Sequence, residues 1–94
     1  MAMPFEWDEE KAEVNLNKHR AGFEEAKSVF GDPSSITVDD PDHSQEEQRF
    51  IDIGKSASGK LLVVIYTERG SKTRIISCRK AKPAERRKYE EQFE

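Results

Sequence analysis

The longest apolar run in the chain, Leu61-Leu62-Val63-Val64-Ile65-Tyr66, sets the terms on which everything else can fold. It is far too short to cross a bilayer, and an unbroken apolar segment of this length reads as a central strand covered, at least in part, on both faces. Only 34% of the 94 residues are hydrophobic and 37% are charged, so the core around that strand must be economical. This length and composition suit one domain, residues 1–94, with a single modest core. The apolar residues cluster in recognisable elements, which places the chain among folded proteins and not among disordered ones.

Asp8 is a good helix N-cap after the short apolar segment Phe5-Glu6-Trp7, and a helix over residues 8–20 follows, with Ala12, Asn15, Leu16 and His19 on one face. Gly22 separates it from a second helix, residues 23–30, whose stripe is Phe23, Ala26 and Phe30 and which Gly31-Asp32-Pro33 stops. The period then changes to two. Ser35–Asp39 is a strand ended by Asp39-Asp40-Pro41-Asp42, and Arg49–Lys55 is a second, with Arg49, Ile51 and Ile53 facing away from Phe50 and Asp52. After the central strand, Glu68-Arg69-Gly70-Ser71 reads as a tight turn into a strand over Lys72–Lys80. Its alternation sets Ile75 and Ser77 against Arg74, Ile76 and Cys78. Pro83 opens a charged helix through Phe93, with Tyr89 and Phe93 paired one turn apart. The expected fold is α+β: two N-terminal helices, an antiparallel meander of about four strands and a short C-terminal helix.

Charge divides this chain. Residues 1–47 carry 13 acids and 4 bases, net −9, and residues 48–94 carry 6 acids and 12 bases, net +6. Nine of those bases fall between Arg69 and Lys88 against one acid, Glu85. Such a stretch argues for a polyanionic partner in spite of the overall charge of −3. An antiparallel meander brings the 40–48 loop and the 68–71 turn to one end of the sheet, where His43, Arg49, Glu68, Arg69 and Arg74 converge. Arg79 and Lys80 lie at the other end, near the basic helix that carries Arg86, and suit contact with a phosphate backbone.

Guanidinium groups stay charged and engage phosphate oxygens through two parallel hydrogen bonds. Metal-free RNA cleavage needs a base for the 2′-hydroxyl, cations for the charge added at phosphorus, and an acid for the departing 5′-oxygen. Arg, Glu and His can fill those roles. No phosphate-cradling glycine loop, zinc motif or dinucleotide fingerprint is present, so no cofactor or metal is expected. A lone cysteine, Cys78, fits a reducing compartment and a small buried position. Without an export signal the expected location is cytoplasmic, with no membrane partner.

The motifs Phe5-Glu6-Trp7-Asp8, Asn15-x-x-Lys18-His19, Phe23-Glu24-Glu25-Ala26 and Val29-Phe30-Gly31-Asp32-Pro33 follow in an order that resembles the BrnT family. The resemblance continues through Asp40-Pro41-Asp42-His43-Ser44, Arg49-Phe50, Ile53-Gly54, Leu62-Val63-Val64, Thr67-Glu68-Arg69-Gly70, Arg74-Ile75-Ile76-Ser77 and Glu85-Arg86 to Tyr89-Glu90. It implies a RelE-like ribonuclease toxin of a type II toxin–antitoxin pair that cleaves mRNA and arrests growth. The implied partner is a BrnA-type antitoxin that also binds operator DNA, so that operator contact is indirect. The family pattern has glycine directly after Lys-His, where this chain has Arg20 and delays its glycine to Gly22.

The catalytic candidates are therefore Arg49, Glu68, Arg69, Arg74, His19 and His43, and the RNA-binding candidates are Lys18, Arg79, Lys80 and Arg86. Each has a plainer reading: strand arginines are often solvated or paired, His19 can cap its own helix, and His43 can serve its turn. Trp7 and Phe50 suit the core or an antitoxin interface better than base stacking. Alternative functions are a non-catalytic nucleic-acid or protein-binding module, and a degenerate toxin kept for complex formation.

Overall fold

The structure, a computed structural model, describes residues 4–40 and 47–94. In chain order its elements are β1 (Phe5–Glu6), α1 (Glu9–His19), α2 (Phe23–Val29), β2 (Ile36–Asp39), β3 (Arg49–Lys55), β4 (Leu61–Arg69), β5 (Lys72–Lys80) and α3 (Pro83–Glu90), which a 3₁₀ turn, Glu91–Phe93, extends. The fold is mixed α+β with one five-stranded sheet in the order β1-β5-β4-β3-β2. β4 is central, as its apolar run requires.

Two features depart from the expected four-stranded meander. β2 to β5 are successive antiparallel neighbours, but Phe5 and Glu6 add a fifth strand that runs parallel to β5, opposite Thr73 and Arg74. Glu68 and Arg69 are strand residues paired with Thr73 and Lys72, and only Gly70 and Ser71 turn. Gly70 takes φ 59°, a left-handed conformation that glycine adopts without steric cost and that permits so short a connection.

α1 starts where Asp8 accepts hydrogen bonds from the N–H groups of Glu10 and Lys11, at 2.9 and 3.1 Å. It ends at Arg20, which sits at φ 56° and donates its N–H to the Leu16 carbonyl at 2.8 Å. A left-handed residue here is the ordinary way to close a helix, and glycine is the residue that adopts it without steric cost.

The two faces of β4 are covered unequally. Leu62, Val64, Ile75 and Cys78 pack beneath α1 and α2 with Ala21, Phe23, Ala26 and Val29. On the other side Ile53, Leu61 and Val63 pack against Tyr89 of α3, with Ile36, Ile51 and Ala81 partly buried beside them. β5 reaches the larger core with both Ile75 and Cys78 because its register shifts there: Ile65 pairs with Ser77 and Tyr66 with Ile75, leaving Ile76 as the extra residue of a bulge. The strict alternation expected for β5 is broken at this point. Arg74, Ser77 and Arg79 share the face away from α1 and α2.

Asn15, nearly buried on α1, finishes the edge of β5 beyond the reach of β1. Its Oδ1 accepts from Cys78 N–H at 3.2 Å, and its Nδ2 donates to the Cys78 and Ala21 carbonyls at 2.7 and 2.9 Å. One amide thus stands in for a missing strand. Below α2, Asp32 accepts from Lys55 N–H, Ser34 N–H and Tyr89 Oη at 2.8, 2.9 and 2.7 Å, tying β3 and α3 to the end of α2. Burial pushes its pKa up, but these hydrogen bonds outweigh it and hold the carboxyl below its ordinary range. Gly54 passes so close that a Cβ there would lie 2.8 Å from Ser35 Cβ and 3.0 Å from Val29 Cγ1.

Replacing Arg20 with glycine removes the left-handed strain and should raise stability by about 1 kcal/mol. A lowered thermal midpoint for Arg20→Gly would contradict the cap assignment. Asp52, buried on β3, has its pKa raised to about 6, first by burial and also by the Asp32 charge, against hydrogen bonds from Ser35 and Thr37. A carboxyl that holds its proton more tightly when folded costs stability as pH rises from about 4 to about 6. Asp52→Asn should therefore gain roughly 2 kcal/mol relative to the parent between pH 4 and pH 7. Parallel melts with no pH-dependent difference would rule out the buried-acid assignment.

Candidate functional site

Because α3 is short and lies at one end, the face it covers is open at the other. Val38, Ile51, Ile65 and Ser77 are only half-buried there. Across that open part runs one lateral row of paired residues, Glu6, Arg74, Thr67 and Arg49, contributed by β1, β5, β4 and β3 in turn. Directly opposed residues point to the same face of a sheet, so all four project from the open side. Asp40, the residue after β2, extends the row by donating its N–H to the Arg49 carbonyl at 3.0 Å. Arg49 and Arg74 are two strand spacings apart, roughly 10 Å.

The row is fixed from both flanks. Arg74 Nη1 donates to Glu6 Oε2 at 2.5 Å, with both side chains about three-quarters buried. The buried Thr67 donates its hydroxyl to the Gln48 carbonyl at 2.7 Å, which pins the start of β3, and with it Arg49, against β4. Two guanidiniums are thus held over an apolar floor and flanked by carboxylates. This arrangement can bind a phosphoryl group, which Arg engages through paired N–H donors.

Of the expected catalytic residues, Arg49 and Arg74 are the two this row brings together. Arg69 lies at the same end, exposed and paired with Glu47 at 3.3 Å. Glu68 does not join them: with β4 extended to Arg69, alternation turns its side chain to the opposite face. His19 ends α1 and, with Lys18, lines a separate open groove of about 430 Å³ whose sheet wall is Ile76 and Ser77. His43 lies outside the described residues.

Arg79 differs from its expected role as a free phosphate contact. Its guanidinium is engaged by both oxygens of Glu85 at 2.7 Å each, and Glu85 also accepts Lys82 N–H at 2.8 Å. The pair holds the Glu85 carboxyl below its ordinary range, chiefly through the hydrogen bond from Arg79, and fastens the start of α3 to β5. Lys80 and Arg86, by contrast, line a groove of about 290 Å³ with Lys55 and Lys60, and no acid is among its lining residues. From Arg74 to Lys80 the strand covers roughly 20 Å, so the row and the basic groove stand at opposite ends of the sheet.

Sequence reasoning missed Glu6, Thr67, Lys55 and Lys60. A two-residue strand leaves no periodic signal, and Glu6 meets Arg74 across 68 positions of chain. The lysines flank the Gly59 turn, where charge is ordinary. Among the described residues no group of three or more His, Cys, Asp or Glu gathers to hold a metal.

Residues 7–85 match the family model described as the ribonuclease toxin BrnT of type II toxin–antitoxin systems. Among solved structures, the 1.1 Å crystal structure of the Brucella abortus ribonuclease toxin BrnT is similar, at 25% sequence identity and a TM-score of 0.66. The likeness covers 85% of this chain and 97% of that one. No curated protein matches in sequence. The matched span contains Arg49, Thr67 and Arg74 and begins one residue after Glu6.

Proposed function

The chain belongs to the BrnT family of ribonuclease toxins of type II toxin–antitoxin systems, and from that premise we propose that it is a RelE-like, metal-independent endoribonuclease of mRNA. In this reading residues 1–94 act as one toxin domain in the cytoplasm, arrest growth, and are neutralised by a BrnA-type antitoxin through which operator DNA is reached indirectly. The observation that carries it is the Arg49–Thr67–Arg74 row on the open sheet face.

The scissile phosphate sits between Arg49 and Arg74, which hold the charge that develops when the 2′-oxygen attacks phosphorus. Glu6, already hydrogen-bonded to Arg74, takes the 2′-hydroxyl proton in place of Glu68. His43 delivers a proton to the departing 5′-oxygen. The P–O5′ bond breaks, leaving a 2′,3′-cyclic phosphate and a 5′-hydroxyl. Arg69 binds a phosphate at the rim, Lys18 and His19 meet RNA along the α1 side of the surface, and Lys80 and Arg86, joined by Lys55 and Lys60, hold the backbone at the far end. Arg79 keeps α3 in place beneath that contact. Contacts of this kind position RNA without reading its sequence.

Purified chain in excess chelator should cleave RNA, and its induction alone should arrest growth with new RNA ends, relieved by the antitoxin. Arg49→Ala and Arg74→Ala should each lower the rate about 10²- to 10³-fold without lowering the thermal midpoint much, as for loss of a transition-state donor. Glu6→Gln and His43→Ala should each cost about 10²-fold or more, and Glu68→Gln should cost little. Lys60→Ala with Lys80→Ala should flatten the salt dependence of binding instead. Full cleavage by both arginine variants would place the reaction elsewhere, and a soluble chain that leaves RNA and growth unchanged would end the ribonuclease reading.

A further inference from the structure

On the helical side of the sheet, away from the Arg49–Arg74 row, a groove of about 420 Å³ runs between α1 and the start of α2. Its floor is apolar: Trp7, Ala12, Leu16 and Phe23. Leu16 is 49% exposed there, an unusual position for a large aliphatic side chain beside a tryptophan and a phenylalanine. Glu9, Glu13 and Glu24 form the margin, and no base is among the lining residues. Lys27 borders it, paired with the exposed Glu24 at 3.3 Å and with its ammonium 5.9 Å from the Trp7 ring. An exposed pair of this kind is weak enough to exchange for a partner's base.

We propose that this groove is the docking site of a basic amphipathic helix of the antitoxin. The inference relies on the toxin–antitoxin reading for the existence of a partner, and is independent of which residues cut RNA. Three features specify the occupant. The groove lies between two helices and not beside a strand, so it offers no sheet edge to a visiting peptide. A segment seated in it must satisfy its own backbone hydrogen bonds, as a helix does. Ala12 and Leu16 stand one turn apart and, with Trp7 and Phe23, make an apolar floor of the length that helix anchors at three- and four-residue spacing fill. The carboxylate margin selects lysine and arginine on the flanks of that helix and speeds its approach.

The row and the groove lie on opposite sides of the sheet, so a helix in the groove does not itself cover Arg49 or Arg74. It anchors the partner, and a second part of the partner's chain must reach the open face. Linked contacts of this kind bind far more tightly than either alone.

Trp7 is the single tryptophan of the chain, so 5-fluorotryptophan placed in the toxin alone reports on the groove by ¹⁹F NMR. Full-length toxin titrated with the protein encoded beside it should show a shifted Trp7 resonance at saturation. Glu13→Lys and Leu16→Arg, both outside the proposed cleavage machinery, should each raise Kd by about 30-fold or more, the size of a hot-spot loss. Val14→Arg removes an even more exposed apolar side chain, 64% exposed, on the neighbouring side of α1, and should leave Kd unchanged. Glu13→Lys and Leu16→Arg should both cleave RNA as the parent does, so that failed neutralisation is read separately from failed catalysis. Parent-like Kd in both groove variants, or a Trp7 resonance that does not move, would overturn the proposal. So would a Trp7 shift on concentrating the toxin alone with a dimer in sedimentation, which assigns the groove to a second copy. Correct binding results from a chain that never cleaves RNA would leave this interface standing and remove only the ribonuclease reading.

Discussion

One strand has to be buried on both faces by a chain that has helical cover for only one and part of another. β4 supplies Leu62 and Val64 to the core under α1 and α2, and Leu61 and Val63 to the smaller core under α3. Since α3 is short and docks at the Lys80 end, the far half of its face stays open. The sheet is therefore a platform on one side and a packed layer on the other, and the polarity of the molecule follows from that imbalance.

Two local devices turn the platform into a site. The bulge at Ile76 lets β5 bury both Ile75 and Cys78 while sending Arg74, Ser77 and Arg79 to the face away from α1 and α2. Bulges beside functional sites commonly re-aim a side chain in this way. The two-residue β1 then brings Glu6 against Arg74 and extends the row to the sheet edge. Where β1 stops, the Asn15 amide satisfies the Cys78 backbone, so the short strand leaves no buried edge unpaired. Arg49 and Arg74 owe their common orientation to strand pairing, and their rigidity to Glu6 and Thr67.

Much of this was legible in the chain itself. The apolar run Leu61–Tyr66 marked the central strand, Asp8 and Pro83 marked helix starts, and the alternation of Arg49, Ile51 and Ile53 assigned β3 its faces correctly. What escaped was whatever depends on a partner distant in sequence or on a break in periodicity. Phe5–Glu6 is too short to declare itself a strand. The bulge inverted the face of everything after Ile75, and the extension of β4 to Arg69 turned Glu68 away from the arginines it was expected to join. Arg79 looked like a phosphate contact because its charge was visible and its bidentate clamp by Glu85 was not. The unusual Arg20 proved to hold the same left-handed cap that a glycine would.

The central claim is that RNA meets the open sheet face along the Glu6–Arg74–Thr67–Arg49 row. Its most direct measurement is a backbone amide NMR titration of the chain with an RNA made uncleavable by 2′-deoxy substitution. The largest perturbations should fall on Arg49, Thr67, Arg74 and Ser77 and continue to Lys80. Perturbations concentrated on the outer surface of α1 and α2, with that row unmoved, would contradict it.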